Sequence, residues 1–146
     1  MSDTAAWVDH AEAALARSGH RAGGARRAVL EVLGTRSCLA SAQDIHDALR
    51  EHGRRVGLAS VYRALDTLTT LRLVHRVDVG GSARYERADP GGDHHHHAIC
   101  DRCGRLTPFE DAGLERLVDD LGSRLGYEVT AHDVALRGVC PDCAAA

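Results

Sequence analysis

The sequence predicts an α+β chain. A winged helix-turn-helix domain is expected over residues 1–88, a linker over 89–93, and a small α/β domain with a four-cysteine zinc site over 94–146. Three observations carry that expectation. Four segments with apolar residues at helical spacing come first, followed by two short alternating segments around a Gly-Gly pair. Four consecutive histidines, residues 94–97, then stand just before the first of two Cys-x-x-Cys pairs. The charge also divides along the chain: residues 1–88 hold 13 Arg and 10 acidic residues, whereas residues 89–146 hold 5 Arg and 11 acidic residues. A basic front and an acidic back suggest two jobs, with any polyanion meeting the front.

Residues 5–17 carry Ala, Val and Leu at helical spacing and stop at Ser18-Gly19. A second helix fits residues 25–33, with Val29, Leu30 and Leu33 on one face. Ser41 can cap a third, which Gly53 ends. The fourth runs from about Ser60. Val61, Leu65 and Leu68 form its buried stripe, which leaves Tyr62, Arg63 and Asp66 on other faces. The period then changes to two. Residues 73–79 alternate, Gly80-Gly81 turns the chain, and residues 83–87 alternate again, which makes a hairpin. Four helices and a hairpin read naturally as a winged helix, and the Asp-Pro-Gly-Gly-Asp of residues 89–93 reads as a linker.

In the back half, residues 94–100 and 105–109 look like strands on either side of a Cys-x-x-Cys turn. Residues 111–125 place Leu114, Leu117, Val118, Leu121 and Leu125 at helical spacing, and residues 127–139 alternate as a strand into Cys-Pro-Asp-Cys. Aromatic residues make up only 3% of the chain, so its core must be aliphatic. Residues 1–30 lack a basic start followed by an apolar stretch, and no apolar run approaches the roughly 18 residues of a span. A cytoplasmic protein is expected, and in a reducing compartment five cysteines are better metal ligands than disulfides.

Cys100, Cys103, Cys140 and Cys143 are the strongest chemical signal. Two knuckles, each offering two thiolates from one tight turn, supply the tetrahedral sulfur set of a closed structural zinc site. A redox pair or buried thiols are the alternatives. The histidine run has a different logic. In a strand, successive side chains point to opposite faces, so His94 and His96 face one way and His95 and His97 the other. One run can then feed two metal sites. A His-rich loop is the alternative.

The ordered set V-G-L-A-S-V-Y-R-A-L, H-H-H-H-A-I-C-D-R-C-G, T-A-H-D-V-A-L and C-P-D-C resembles the ferric uptake regulator family, from about Arg17 to Cys143. The resemblance implies a dimeric, metal-activated repressor that binds double-stranded operator DNA, with an N-terminal DNA-binding winged helix and a C-terminal α/β dimerisation domain. Two-fold symmetry then implies a palindromic operator. The four cysteines match the family's structural zinc. His94, His96, Glu115 and His132 match a site inside the dimerisation domain. Glu86, His95 and His97 match the sensing site between the domains. Tyr62 and Arg63 match the recognition helix, and Arg17, Arg21 and Arg26 flank the second helix where they could meet the DNA backbone.

The chain also departs from the family's pattern. Leu39, next to Cys38, stands where iron-sensing members place a histidine before the third helix. His75 and Ala88 stand where zinc-sensing members use an Asp and a Cys, and Pro108 replaces a carboxylate, with Glu110 just beyond. The fourth sensing ligand is therefore open between His75, Cys38 and Glu110. His75 shares its strand face with Leu73, Val77 and Val79, so a core histidine is an equal reading. Gly23-Gly24 replaces the Thr-Pro before the second helix, a change that costs an N-cap about a few tenths of a kcal/mol. A Glu with two or three His suits zinc, iron(II) or manganese(II) alike, so the sensed metal stays open.

Two other functions compete: a zinc-dependent hydrolase or deaminase, and a metal-buffering protein. The sequence lacks H-E-x-x-H and the H-x-E…P-C-x-x-C order, which weighs against an enzyme. The Tyr-Arg helix and the basic front weigh against a buffer.

Overall fold

Trp7, Val8, Ala11 and Leu15 fall at three- and four-residue intervals, and burying that stripe makes helix α1 (Asp3–Arg17). The computed structural model describes residues 3–21, 23–36, 39–88 and 95–146; Cys38, the linker 89–93 and His94 lie outside the described residues. Helix α2 (Ala25–Thr35) lies against α1. The approach is close at Gly34, where a Cβ would sit 2.9 Å from Thr4 Cγ2 and 3.4 Å from Val8 Cγ2. Helix α3 (Ala42–Glu51) opens with a capping box: Ser41 Oγ accepts from the Asp44 N–H at 3.0 Å, and Asp44 Oδ2 accepts from the Ser41 N–H at 2.8 Å.

Helix α4 (Leu58–Thr70) begins two residues before the expected Ser60. Leu58 packs against the core, and that burial draws the first turn back to a Gly57 N-cap. Val61, Ala64, Leu65 and Leu68 are buried, as the apolar stripe requires. Strands β1 (Val74–Val79) and β2 (Ser82–Arg87) form an antiparallel hairpin running from Val74 opposite Arg87 to Val79 opposite Ser82. Gly80 and Gly81 both have positive φ, 57° and 81°, which the two-residue turn demands. A bridge between Ala40 and Tyr85 pins the hairpin beside the start of α3, and Trp7 Nε1 donates to the Ala88 carbonyl at 2.9 Å. The result is a helix-turn-helix with a wing, packed around one core that is aliphatic except for Trp7 and Tyr85.

The chain divides into two compact units, Met1–Asp93 and His94–Ala146. The second holds a three-stranded sheet of order β4-β3-β5: β3 (His96–Cys100) pairs antiparallel with β4 (Leu106–Phe109) and parallel with β5 (Ala135–Gly138). The parallel pairing needs a crossover, and α5 (Ala112–Leu125) supplies it. Asp111 caps α5 by accepting from the Leu114 N–H at 2.8 Å, and left-handed Gly126 ends it. A four-residue helix, α6 (Pro141–Ala144), follows near the C-terminal end.

The strand expected over residues 127–139 shrinks to four residues, and residues 127–134 have no regular structure. Their first contacts are with the helix they leave. The Tyr127 N–H donates to the Gly122 carbonyl at 2.9 Å, and Val129 fills the space a Gly122 side chain would need. Pairing starts only where the chain reaches β3. No helix among the described residues is long and apolar enough to cross a membrane.

Candidate metal centres and a candidate nucleic-acid face

The four-cysteine centre is built from two turns. Gly104, at φ 73°, folds the first knuckle back so that its N–H reaches the Cys100 carbonyl at 2.9 Å, and the Cys100 N–H reaches the Arg105 carbonyl at 2.9 Å. Cys140 forms the second knuckle as the N-cap of α6. The four Sγ atoms lie within 4.8 Å of one another, and Cys103 Sγ is 3.8 Å from Cys140 Sγ. A tetrahedron with metal–sulfur bonds of about 2.3 Å has sulfur–sulfur edges of about 3.8 Å, so the donors fit zinc in number, kind and spacing. The set is closed, with no position reserved for a substrate.

The thiols differ in their electrostatics. The Cys140 N–H donates to Cys100 Sγ at 3.3 Å, and that bond leads those that lower the Cys100 thiol to about 6. Cys143, hydrogen-bonded to the thiols of Cys140 and Cys103, is pushed up to about 12. Around the sulfurs, Arg102 Nη1 donates to the Cys143 carbonyl at 3.0 Å and Arg105 pairs with Asp142 at 2.6 Å. Both arginines tie the knuckles together from outside.

A second donor set lies within the same unit. His96 is 1% exposed, and its Nε2 is 2.7 Å from Glu115 Oε1; His132 Nε2 is 2.8 Å from Glu115 Oε2. Glu115 stands in the first turn of α5, and His132 lies in the irregular stretch before β5. Three elements far apart in sequence thus bring two imidazoles and a carboxylate together. The Val134 N–H points at His96 Nδ1 at 3.3 Å, which fixes the ring. His94, expected in this set, lies outside the described residues.

Along β3 the faces alternate. His96 turns toward Glu115, while the His95 and His97 rings meet edge to face with centroids 4.9 Å apart, so these two share a side. Glu86, in the first unit, stands directly opposite His75 in the β1–β2 ladder. Cross-strand partners share a face, so the His75 and Glu86 side chains leave the hairpin on the same side. Leu39 is buried, Glu110 is exposed just after β4, and Cys38 lies outside the described residues.

On α4, Tyr62 is 48% exposed and Arg63 is exposed, with its Nη2 donating to Ser60 Oγ at 3.0 Å. Arg17 and Arg21 are exposed around the α1–α2 connection, and Arg26 is half-buried, donating to the Arg21 carbonyl at 3.2 Å. Arg26 therefore holds that connection closed. Sequence reasoning passes over Arg54 and Arg55. They line a cavity of about 260 Å³ with Gly24, Ala25, Val56, Gly57 and Ser60, beside two helix N-termini that have no side-chain cap. Paired arginines just ahead of the fourth helix are the signal that could have found them.

In the second unit several large apolar side chains are open. Leu117, Leu121, Leu125, Tyr127, Leu136 and Val139 are 45–75% exposed, although the helical spacing of the three leucines suggests an inward stripe.

Against known proteins, the family model described as the ferric uptake regulator family matches residues 17–137. The ferric uptake regulation protein of Neisseria meningitidis is 36% identical over 106 residues, which are 72% of each chain. That of Pseudomonas aeruginosa is 40% identical over 98 residues, 66% of this chain and 71% of its own. Among solved structures, the manganese-containing ferric uptake regulator of Pseudomonas aeruginosa superposes with TM-score 0.78 at 31% identity, over 89% of this chain and 97% of that one. A zinc uptake regulator complexed with zinc and DNA superposes with TM-score 0.66 at 27% identity, over 99% and 97%.

Proposed function

Because the chain belongs to the ferric uptake regulator family, we propose that it is a repressor of metal-homeostasis genes, a homodimer that grips palindromic operator DNA when metal binds. Members of this family are metal-responsive transcription regulators, not enzymes. The observation that carries the finer reading is the division of the histidine run, with His96 turned to Glu115 and His95 paired with His97.

Three metal centres follow, all proposals. Cys100, Cys103, Cys140 and Cys143 hold a structural zinc that staples the C-terminal end to β3, in a unit that leaves several large apolar side chains uncovered. His94, His96, Glu115 and His132 hold a second ion within the dimerisation domain. Glu86, His95 and His97 form the sensing site, with His75 as the fourth ligand, because the hairpin register sets it beside Glu86. The sensed ion is zinc or iron(II), with manganese(II) compatible with the same donors.

DNA meets α4, where Tyr62 reads base edges or thymine methyls and Arg63 a guanine or a phosphate, while Arg17, Arg21 and Arg26 stand toward the backbone. The exposed apolar side chains of the second unit form the dimer contact, and the site of action is the cytoplasm. The test is selection from a random duplex library with zinc, iron(II), manganese(II) or chelator. One metal should enrich a palindrome that chelator does not; no enrichment with any of the three would overturn the reading.

A further inference from the structure

The outward side of α4 carries Tyr62, Arg63 and Asp66, with Asp66 four and three residues beyond the other two and all three exposed. The two charged groups do not neutralise each other. The Arg63 guanidinium reaches back to Ser60 Oγ at 3.0 Å, toward the helix N-terminus and away from Asp66. The Asp66 carboxylate has no ion pair or hydrogen bond among the described residues. It lies in electrostatic reach of the Tyr85 phenol, as do Arg76 and Tyr62, on the helix that packs against the first strand of the wing. An uncompensated carboxylate on a face meant for phosphates repels DNA at every sequence. It becomes favourable only where a base offers a donor, and in the major groove the donor suited to a carboxylate is the cytosine N4 amino group.

We propose that Asp66 is a specificity-determining residue that accepts from cytosine N4 in each operator half-site and penalises every other base there. This rests on the reading of α4 as the DNA-recognition helix. The two roles have opposite signs. On random DNA the carboxylate only repels, while on the operator it is paired, so Asp66 lowers the background while it raises contrast.

The experiment repeats the library selection with wild-type protein, Asp66→Ala and Asp66→Asn, and measures affinity for the selected operator and for random duplex. Asp66→Ala should lose the preference at one position per half-site and keep the others. It should bind random DNA several-fold tighter and the operator about tenfold more weakly. Asp66→Asn should move that position toward adenine, whose N6 and N7 an amide can engage together. Unchanged preference at every position, or operator and random affinities rising together, would overturn the proposal. A wild-type protein that enriches nothing with any metal would instead overturn the recognition-helix reading itself.

Discussion

At the scale of single residues, the centres differ in how they are specified. The cysteine set was legible because all four ligands come from two local turns whose spacing is chemical information in itself. Glu115 and His132 were not legible that way. Each is an ordinary polar residue until α5 and the crossover deliver them to His96, and only family resemblance singles them out beforehand. The division of β3 predicts two different losses. His95→Ala with His97→Ala should abolish metal-triggered operator binding and leave a folded dimer with its cysteine-bound zinc. His94→Ala with His96→Ala should lower stability instead. It empties a buried ring position and strips Glu115 of one partner, a change of about 1–3 kcal/mol. Metal content, dimer fraction and operator affinity, measured on both variants, check the difference. Matching phenotypes would show that the strand does not separate two duties.

At the scale of elements, local chemistry was readable wherever it was self-contained. Helix α3 shows this best, because Ser41 and Asp44 satisfy each other's backbone donors without help from elsewhere. The Ser41 N–H above all, then the Ser41 hydroxyl, hold the Asp44 carboxyl below the ordinary carboxylate range. A depressed carboxyl stabilises the fold above its unfolded pKa, and that contribution is lost as pH falls through the carboxylate range toward the folded value. Ser41→Ala should therefore lower stability by about 1 kcal/mol near neutral pH, with the difference from wild type shrinking as Asp44 protonates. Urea unfolding at about pH 7 and near pH 3, below the ordinary Asp pKa, checks both the size and the sign. Where elements depend on distant partners, the sequence was less informative. Residues 127–134 alternate like a strand, but a strand needs a neighbour, and the ladder with β3 begins only at Ala135.

At the scale of the whole molecule, the two-part architecture was legible from the change of period and the shift in charge. The fate of the α5 leucines was not. Helical spacing distinguishes an apolar face from a polar one, but it cannot distinguish the core of one chain from the contact between two. Leu117, Leu121 and Leu125 are exposed in the single chain, with Leu136 and Val139 also bare. Leu121→Glu should thus convert the proposed dimer to a monomer at micromolar concentration and weaken operator binding about a hundredfold or more, since one half-site must then act alone. Sedimentation gives the mass directly. A dimer that persists would place the subunit contact elsewhere.

The hydrogen bond from Trp7 to Ala88 joins the first turns of the chain to the end of the wing, 81 residues later. Trp7 is the only tryptophan, and it is 2% exposed. The protein therefore carries a single indole emitter at the place where the wing hands the chain on toward the histidine strand. Light from it comes from one address, so any change in its colour or lifetime during a metal titration reports on that junction, and no label has to be introduced to see it.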